Sequence, residues 1–468
     1  MAVIKQPRWK SIPTNRKKNT QPTDKPTDVR TVPSASGLIS HDPTAINTNC
    51  PSRNRISSSS TSPAKLKGLR PSQETAHANA AMAADLDPPA KARKKLAPPM
   101  SWRTRLSIFV AGYLTDSSCR GDGTINRRLL SYLDPAVPAS PTPRNGVASR
   151  DIDVDPAIPL RARFFHPVGG PAGPAVPVVV FFHGGGFAYL SAYSLAYDAA
   201  CRRIARYCAA AVLSVEYRRS PEHRFPAAYE DGFAALRFLD DPKKHPSGDD
   251  VPPLDVSRCF LVGDSAGANI AHHVARRYAL SSQSFANVRI SGLIAIQPFF
   301  GGQERTPSEL RLEGAPIVSI ARCDWMWRAF LPHGADRTHE AAHAASPAAL
   351  AGIDSPAFPP AVVVVGGYDP LQDWQRRYCD TLRSKGKEVR VLEYPEAIHA
   401  FYVFPEFAES KDLMLRIKDF VGGTNRGLGG FAPSRNYSTD WVHVYKDRDG
   451  VLLAAVSVSV INNHLDLS

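Results

Sequence analysis

From about residue 177 onward, short apolar runs alternate with segments in which apolar residues recur at helical spacing. The runs are rich in β-branched and aromatic residues, which predicts buried strands at residues 177–182, 211–215, 258–262, 291–296, 361–365 and 388–393. In the segments between these runs, the recurrence of apolar residues at helical spacing predicts helices at residues 196–207, 229–239, 268–278 and 372–385. Apolar strands separated by helices predict an α/β fold, with a mostly parallel sheet covered on both faces.

The stretch before this alternation has a different pattern. Leu106, Phe109, Val110 and Tyr113 recur at helical spacing, so we predict an amphipathic helix over residues 102–115. A turn-rich stretch at residues 120–127 follows and leads into another apolar segment.

Both ends of the chain lack such patterns. Residues 1–98 are rich in Ser, Thr, Pro, Asn, Lys and Arg without apolar periodicity, a composition that predicts disorder. Residues 424–468 contain one apolar run, at 451–461, to which the sequence assigns no role. We therefore expect a folded domain over residues 99–423, between a disordered leader and a C-terminal extension of unknown role.

The leader has two interpretations. Its basic, Ser/Thr-rich composition is typical of an organelle transit peptide, which would direct the protein to the chloroplast. Its six acidic residues are more than such peptides usually carry. The alternative is an extension without function, or an upstream start before a shorter protein that begins near Met82 or Met100.

Charge and cysteine usage exclude several classes of protein. The net charge is +13, but residues 1–98 hold 17 Lys and Arg against 6 Asp and Glu, so the rest is close to neutral and we expect no nucleic-acid partner. No apolar stretch approaches the roughly 18–20 residues of a membrane span. The seven cysteines are dispersed without a C-x-x-C pair, which favours reduced thiols in the cytoplasm or nucleus and no metal site.

A candidate nucleophile lies between a predicted strand and a predicted helix. Residues 263–267 read Gly-Asp-Ser-Ala-Gly, the G-x-S-x-G pattern, with Gly263 and Gly267 as its small flanking residues. A sharp strand-to-helix turn here would raise Ser265 above the sheet, next to backbone N–H groups that favour negative charge. Asp264 completes the motif. The alternative is a structural Gly/Ser turn.

A glycine-rich loop follows the strand at 177–182. Residues 183–187 read His-Gly-Gly-Gly-Phe, and adjacent glycines allow backbone N–H groups to approach a developing oxyanion closely. We predict Gly185, Gly186 and Ala266 as the donors, with His183 and Gly184 shaping the loop. A phosphate-binding loop is disfavoured because no G-K-[S/T] follows.

An acid and a base should follow the nucleophile in chain order, each after a late strand. Asp369 follows the strand at 361–365, and His399 follows the strand at 388–393. We predict that His399 is the general base and that Asp369 orients it. Asp373 is the rival acid, but its position at a helix start favours an N-terminal capping role.

Residues 100–422 resemble the plant carboxylesterases of the hormone-sensitive-lipase-like group, which are relatives of the gibberellin receptor. The shared motifs are residues 183–187, 216–218, 221–231, 263–269, 369–371 and 398–401. The resemblance implies an α/β-hydrolase fold in which residues 99–135 form a helical lid over the pocket. Here Arg218-Arg219-Ser220 replaces the usual Arg-Leu-Ala, a change that we expect to affect only exposed charge beside the site.

The resemblance leaves two functions open. The first is a carboxylesterase that hydrolyses small hydrophobic esters through an acyl-enzyme intermediate, without a metal or organic cofactor. The second is a receptor that binds a gibberellin-type hydrophobic acid in the same pocket and presents its closed lid to a protein partner. In the receptor an apolar residue replaces the base histidine and a serine replaces the third loop glycine. His399 and Gly186 are present here, which favours the enzyme.

Overall fold

A computed structural model describes residues 97–120 and 122–423 of the 468-residue chain. These residues form one mixed sheet of eight strands in the order β1-β2-β4-β3-β5-β6-β7-β8. The strands are β1 Val147–Asp155, β2 Leu160–Pro167, β3 Val176–Phe182, β4 Ala211–Glu216, β5 Leu254–Asp264, β6 Ile290–Ile296, β7 Ala361–Tyr368 and β8 Val389–Ile398. Residues 1–96 of the predicted leader, the C-terminal extension and its apolar run at 451–461 lie outside the described residues.

All six predicted strands are present as β3 to β8. Neighbouring strands in this part of the sheet all pair in parallel. Each is a run of apolar residues because helices cover the parallel part of the sheet on both faces. The sequence pattern did not predict β1 and β2, which pair antiparallel at the edge. These strands carry charged residues whose partners lie on the neighbouring strand. Arg163 of β2 is almost fully buried and binds Asp151 of β1 at 2.7 Å.

Ten α-helices lie in the described part of the chain. They are α1 Trp102–Ser118, α2 Arg127–Leu133, α3 Leu195–Cys208, α4 Ala227–Asp240, α5 Ala266–Ser281, α6 Pro307–Arg311, α7 Ile320–Phe330, α8 Pro347–Leu350, α9 Gln372–Ser384 and α10 Ala408–Val421. None of the described helices is long and apolar enough to cross a membrane. Helices α4, α5 and α9 pack in one apolar core, and α3 and α10 pack in a second core that shares other residues of the same strands.

The predicted first helix exists as α1, but three of the four residues that predicted it are exposed. Leu106 is 44%, Phe109 70% and Tyr113 64% exposed, whereas Val110 lines a cavity above the sheet together with Ile108 and Ala111. Most of the predicted apolar stripe therefore faces outward, and only Val110 of it faces the cavity. Polar contacts hold this segment to the rest of the domain.

Two bidentate arginine–carboxylate pairs are among these contacts. Arg322 of α7 donates from Nε and Nη2 to the two carboxylate oxygens of Asp116 in α1, at 2.7 and 2.8 Å. Arg127 of α2 donates in the same bidentate way to Glu222, at 3.0 and 2.6 Å. Bidentate geometry fixes orientation as well as distance. Helices α1 and α2 thus cover the carboxyl ends of the strands as the expected lid.

Candidate active site

Ser265 occupies a strained turn between the end of β5 and the start of α5. Its φ of 52° and ψ of −119° lie outside the usual regions for a residue with a side chain. Gly263 and Gly267 make this turn possible, because a Cβ on Gly263 would strike the backbone of Gly267 and a Cβ on Gly267 would strike the carbonyl of Phe182. The hydroxyl-bearing residue is thereby held at the carboxyl edge of the sheet, as the motif requires.

His399 and Asp369 meet at the same edge, after β8 and β7 respectively. The imidazole Nδ1 lies 2.8 Å from Oδ2 of the carboxylate, and both side chains are buried. The ring orientation set by this contact leaves Nε2 as the nitrogen available for proton transfer. The structure thus brings together the acid and the base that the strand order predicts.

Asp373 is not part of this pair. It lies in the first turn of α9, and its Oδ2 accepts a hydrogen bond from the backbone N–H of Ser308 at 2.8 Å. Ser308 belongs to the first turn of α6, so Asp373 satisfies an amide of a neighbouring short helix.

Two glutamines that the sequence analysis did not identify hold the acid in place. Gln297 and Gln375 donate from Nε2 to Oδ2 of Asp369, at 3.0 and 2.8 Å. Gln297 also donates to the carbonyl of Ile398 at 3.1 Å and accepts from the N–H of Ala400 at 2.8 Å. One buried side chain therefore connects the carboxylate with the backbone on both sides of the histidine.

The loop at residues 183–187 follows β3 and lies beside the serine turn. Gly185 and Gly186 have φ values of 100° and 59°, a region that glycine adopts without strain. A side chain on Gly186 would strike Met326. Ala266 is the first residue of α5, where an amide N–H has no partner inside the helix. These three positions are where the sequence predicts the oxyanion donors.

Gly184 connects the loop with Asp264. Its N–H donates to the hydroxyl of Tyr197 at 2.8 Å, and that hydroxyl donates to Oδ2 of Asp264 at 3.0 Å. A Cβ on Gly184 would lie 2.6 Å from the same carboxylate oxygen, so only glycine fits. The residue before the nucleophile thereby fixes the distance between the loop and the serine turn.

His183 supports the loop from below. Its ring stacks on Tyr217 with centroids 4.2 Å apart, and its Nδ1 lies 2.8 Å from the carbonyl oxygen of Gly184. Complete burial lowers the pKa of His183 to about 3, so the ring is neutral at ordinary pH. A neutral, stacked imidazole fits a role in shaping the loop.

The pKa values of Asp264 and His399 are both raised above their ordinary values. Burial raises the pKa of Asp264 to about 6, against the hydrogen bond from Tyr197 and the charge of His399. Burial lowers the pKa of His399, but the charge and hydrogen bond of Asp369 and the charge of Asp264 outweigh it, so the pKa is raised. The imidazolium is thus favoured by two carboxylates.

A cavity of about 510 Å³ opens above the loop and below the lid. Gly185 and Ala400 place it beside the loop and the histidine, and Ile108, Leu130, Ile317 and Phe404 are among its apolar wall residues. Such a volume suits a small organic ligand.

Residues 218–220 lie differently from what the sequence led us to expect. Arg219 lines the cavity and pairs with Glu216 at 3.2 Å, whereas Arg218 binds the fully buried Asp231 at 2.7 Å. Ser220 is fully buried. The expectation that only exposed charge changes here is wrong, because Arg219 lines the cavity and Ser220 is buried.

Comparison with known proteins gives consistent results. A family model described as the α/β hydrolase fold matches residues 179–403. The gibberellin receptor GID1C of Arabidopsis thaliana is 42% identical over 314 residues, which cover 64% of this chain and 88% of the receptor. Carboxylesterase 20 of the same plant is 34% identical over 314 residues, which cover 64% of this chain and 93% of that protein. A solved esterase of the archaeon Pyrobaculum calidifontis shares 26% identity with a TM-score of 0.52, covering 76% of this chain and 99% of the esterase.

Proposed function

Because this chain belongs to the hormone-sensitive-lipase-like plant carboxylesterases and gibberellin receptors of the α/β-hydrolase family, we propose that it is a carboxylesterase with Ser265 as nucleophile. The observation that carries the proposal is the buried 2.8 Å contact between Asp369 and His399, at the edge where Ser265 sits in its strained turn. A receptor that only binds a ligand has no use for an oriented general base.

Acylation is the first step of the proposed reaction. His399 takes the hydroxyl proton of Ser265 through Nε2 while the serine oxygen attacks the ester carbonyl. Asp369 stabilises the resulting imidazolium through Nδ1. The N–H groups of Gly185, Gly186 and Ala266 hold the tetrahedral oxyanion, which costs no reorganisation because the glycine loop and the start of α5 are already formed. The imidazolium then protonates the leaving alcohol.

Deacylation repeats these steps with water as the nucleophile. His399 removes a proton from water as the water oxygen attacks the acyl-serine. Collapse of the second tetrahedral species breaks the bond to the serine oxygen, which takes the proton back from the imidazolium, so that the acid is released and the Ser265 hydroxyl is restored. The residues of this chain supply the base, the charge stabilisation and the oxyanion donors, so the proposed route needs no metal or organic cofactor.

The substrate class follows from the cavity. Its volume of about 510 Å³ and its apolar wall residues favour a small ester with a largely hydrophobic body. The acyl and alcohol parts must both fit beneath α1 and α2, which excludes bulky polymeric esters while the lid is closed.

Hydrolysis of 4-nitrophenyl acetate and butyrate by the full chain tests the proposal. We expect turnover by the native protein and its loss in Ser265→Ala and His399→Ala, each with an unchanged thermal unfolding midpoint. Ser384→Ala, which removes an exposed hydroxyl that donates to the carbonyl of Thr381 in the same helix, is the matched control and should retain turnover. No turnover by the native protein would overturn the proposal.

A gibberellin-type receptor is the second candidate. The observation that favours it is the 42% identity to a gibberellin receptor, which exceeds the 34% identity to the named carboxylesterase. Under this alternative, the cavity binds a hydrophobic carboxylic acid and the exposed apolar face of α1 contacts a protein partner. Equilibrium binding of a gibberellin to a protein that hydrolyses no ester would support the receptor.

A further inference from the structure

A charged patch lies at the end of the cavity away from the proposed catalytic residues. In the parallel register, Val215 of β4 and Gly263 of β5 both pair with Phe182 of β3. Glu216 is therefore level with Asp264 and two strands away from it. Neighbouring strands are about 4.8 Å apart, so Glu216 lies roughly 10 Å along the sheet from the residue before Ser265.

Arg219 and Glu216 form the centre of this patch. The guanidinium lies 3.2 Å from Oε1 of Glu216 and donates to the carbonyl of Leu190 at 2.6 Å. The other carboxylate oxygen accepts the N–H of Ala192 at 2.7 Å. The side chains of Arg219 and Glu216 nevertheless keep 32% and 17% of their surface exposed. Both residues line the cavity, so a ligand there would contact this polar surface.

Asp134 and Tyr193 extend the patch. Asp134 lines the cavity and accepts a hydrogen bond from the hydroxyl of Ser194. Tyr193 also lines the cavity, and its buried hydroxyl has no hydrogen-bond partner among the described residues. The patch therefore holds carboxylate acceptors and a guanidinium donor beside the Tyr193 side chain.

This combination discriminates among the groups that a ligand could present. An apolar end would remove water from a paired Arg219 and Glu216 without replacing its hydrogen bonds, which costs free energy. A carboxylate would face Glu216 and Asp134, and an ammonium group would face Arg219. A neutral hydroxyl can donate to a carboxylate and accept from the guanidinium at the same time.

We propose that Glu216, Arg219 and Asp134 form a binding subsite for a hydroxyl group, so that the protein selects hydroxylated esters whose hydroxyl lies roughly 10 Å from the scissile carbonyl. The proposal names the substrate class of the esterase and rests on that proposed function. It makes Arg219 a residue that determines specificity.

Binding to full-length Ser265→Ala, measured by calorimetry, tests the subsite without turnover. The probes are two pairs of equal chain length: 4-nitrophenyl 8-hydroxyoctanoate with 4-nitrophenyl nonanoate, and 8-hydroxyoctyl acetate with nonyl acetate. The second pair covers the case in which the alcohol part enters this end of the cavity. We expect the hydroxylated member of at least one pair to bind at least about tenfold more tightly. Equal binding within both pairs, or tighter binding of the apolar members, would overturn the subsite.

Substitution of Arg219 in the same background identifies the residue responsible. Ser265→Ala with Arg219→Leu should lose the hydroxyl preference and bind the apolar esters as well or better. Ser265→Ala with Arg277→Leu is the matched control, because Arg277 pairs with Glu230 at the surface and should leave the preference intact. A preference that survives Arg219→Leu would contradict the assignment.

Ester turnover by the native protein tests the proposed esterase function separately from the subsite. A hydroxyl preference in binding without any turnover would uphold the subsite and overturn the esterase. Turnover without a hydroxyl preference would uphold the esterase and overturn the subsite.

Discussion

The Nδ1 atom of His399 lies 2.8 Å from Oδ2 of Asp369, and this carboxylate is fully buried. Four hydrogen-bonding groups meet on that carboxylate: the imidazole, the amides of Gln297 and Gln375 and, on Oδ1, the N–H of Leu371 at 2.9 Å. A buried carboxylate with this many partners has one orientation, and so does the imidazole that it binds.

Replacement of Asp369 by Asn should lower kcat by roughly 10³- to 10⁴-fold, because an amide orients the imidazole poorly and does not stabilise its cation. Steady-state hydrolysis of 4-nitrophenyl butyrate measures the effect. Asp373→Asn is the matched control, since Asp373 binds the N–H of Ser308 and not the histidine. Equal losses in the two variants would contradict the assignment of Asp369 as the acid.

Gln297→Leu should lower kcat by roughly ten- to hundredfold with little change in KM, because it removes a hydrogen bond to a buried charge. It also removes the contacts to Ile398 and Ala400, so the free energy of unfolding should fall. Gln303→Leu removes a similar amide from an exposed contact with Asp336 and should change neither quantity. If Gln297→Leu does not fold, Gln375→Leu provides the same test. A native kcat in the variant that folds would show that the glutamines do not position the acid.

The pH dependence of kcat/KM should show the raised pKa of His399. The base acts in its neutral form, so activity is lost as the pH falls through that pKa, at a higher pH than an unperturbed imidazole would give. Asp264 contributes to the shift, and Asp264→Asn removes its negative charge. The acid limb of the profile should therefore move to lower pH in this variant. Movement to higher pH would contradict the electrostatic role of Asp264.

Loss of the lid contact between Asp116 and Arg322 should weaken substrate binding. Asp116→Asn should raise KM up to about fivefold and leave kcat nearly unchanged, because an exposed ion pair contributes about 0.2–1 kcal/mol. Added salt should raise KM in the native protein and have less effect in the variant. Asp153→Asn, which breaks an exposed pair with Arg161 at the far edge of the sheet, is the control. An unchanged KM in Asp116→Asn would show that this pair does not hold the lid.

The parallel strands were predictable because burial on both faces leaves an unbroken apolar run in the sequence. The edge strands β1 and β2 were not, since charged residues such as Asp151 and Arg163 interrupt their pattern and only the neighbouring strand satisfies them. The outward orientation of Phe109 was also not predictable, because helical spacing identifies a face without specifying what covers it.

The candidate triad was predictable because its members follow strands in an order that the fold imposes. Gln297 and Gln375 carry no such signal: glutamines are usually exposed, and only the folded chain brings both amides to one carboxylate. Arg219 was misread for a related reason. A long side chain on a connecting segment can point to solvent or into a cavity, and the sequence does not distinguish these directions.

Covalent labelling of the full chain by a fluorophosphonate tests the central claim most directly. The probe forms a stable adduct only with a serine that a neighbouring base activates. Mass spectrometry of the labelled protein should find one adduct, on the peptide containing Ser265, with none in Ser265→Ala and a much slower reaction in His399→Ala. A native protein that binds a gibberellin but takes up no label at Ser265 would contradict the account.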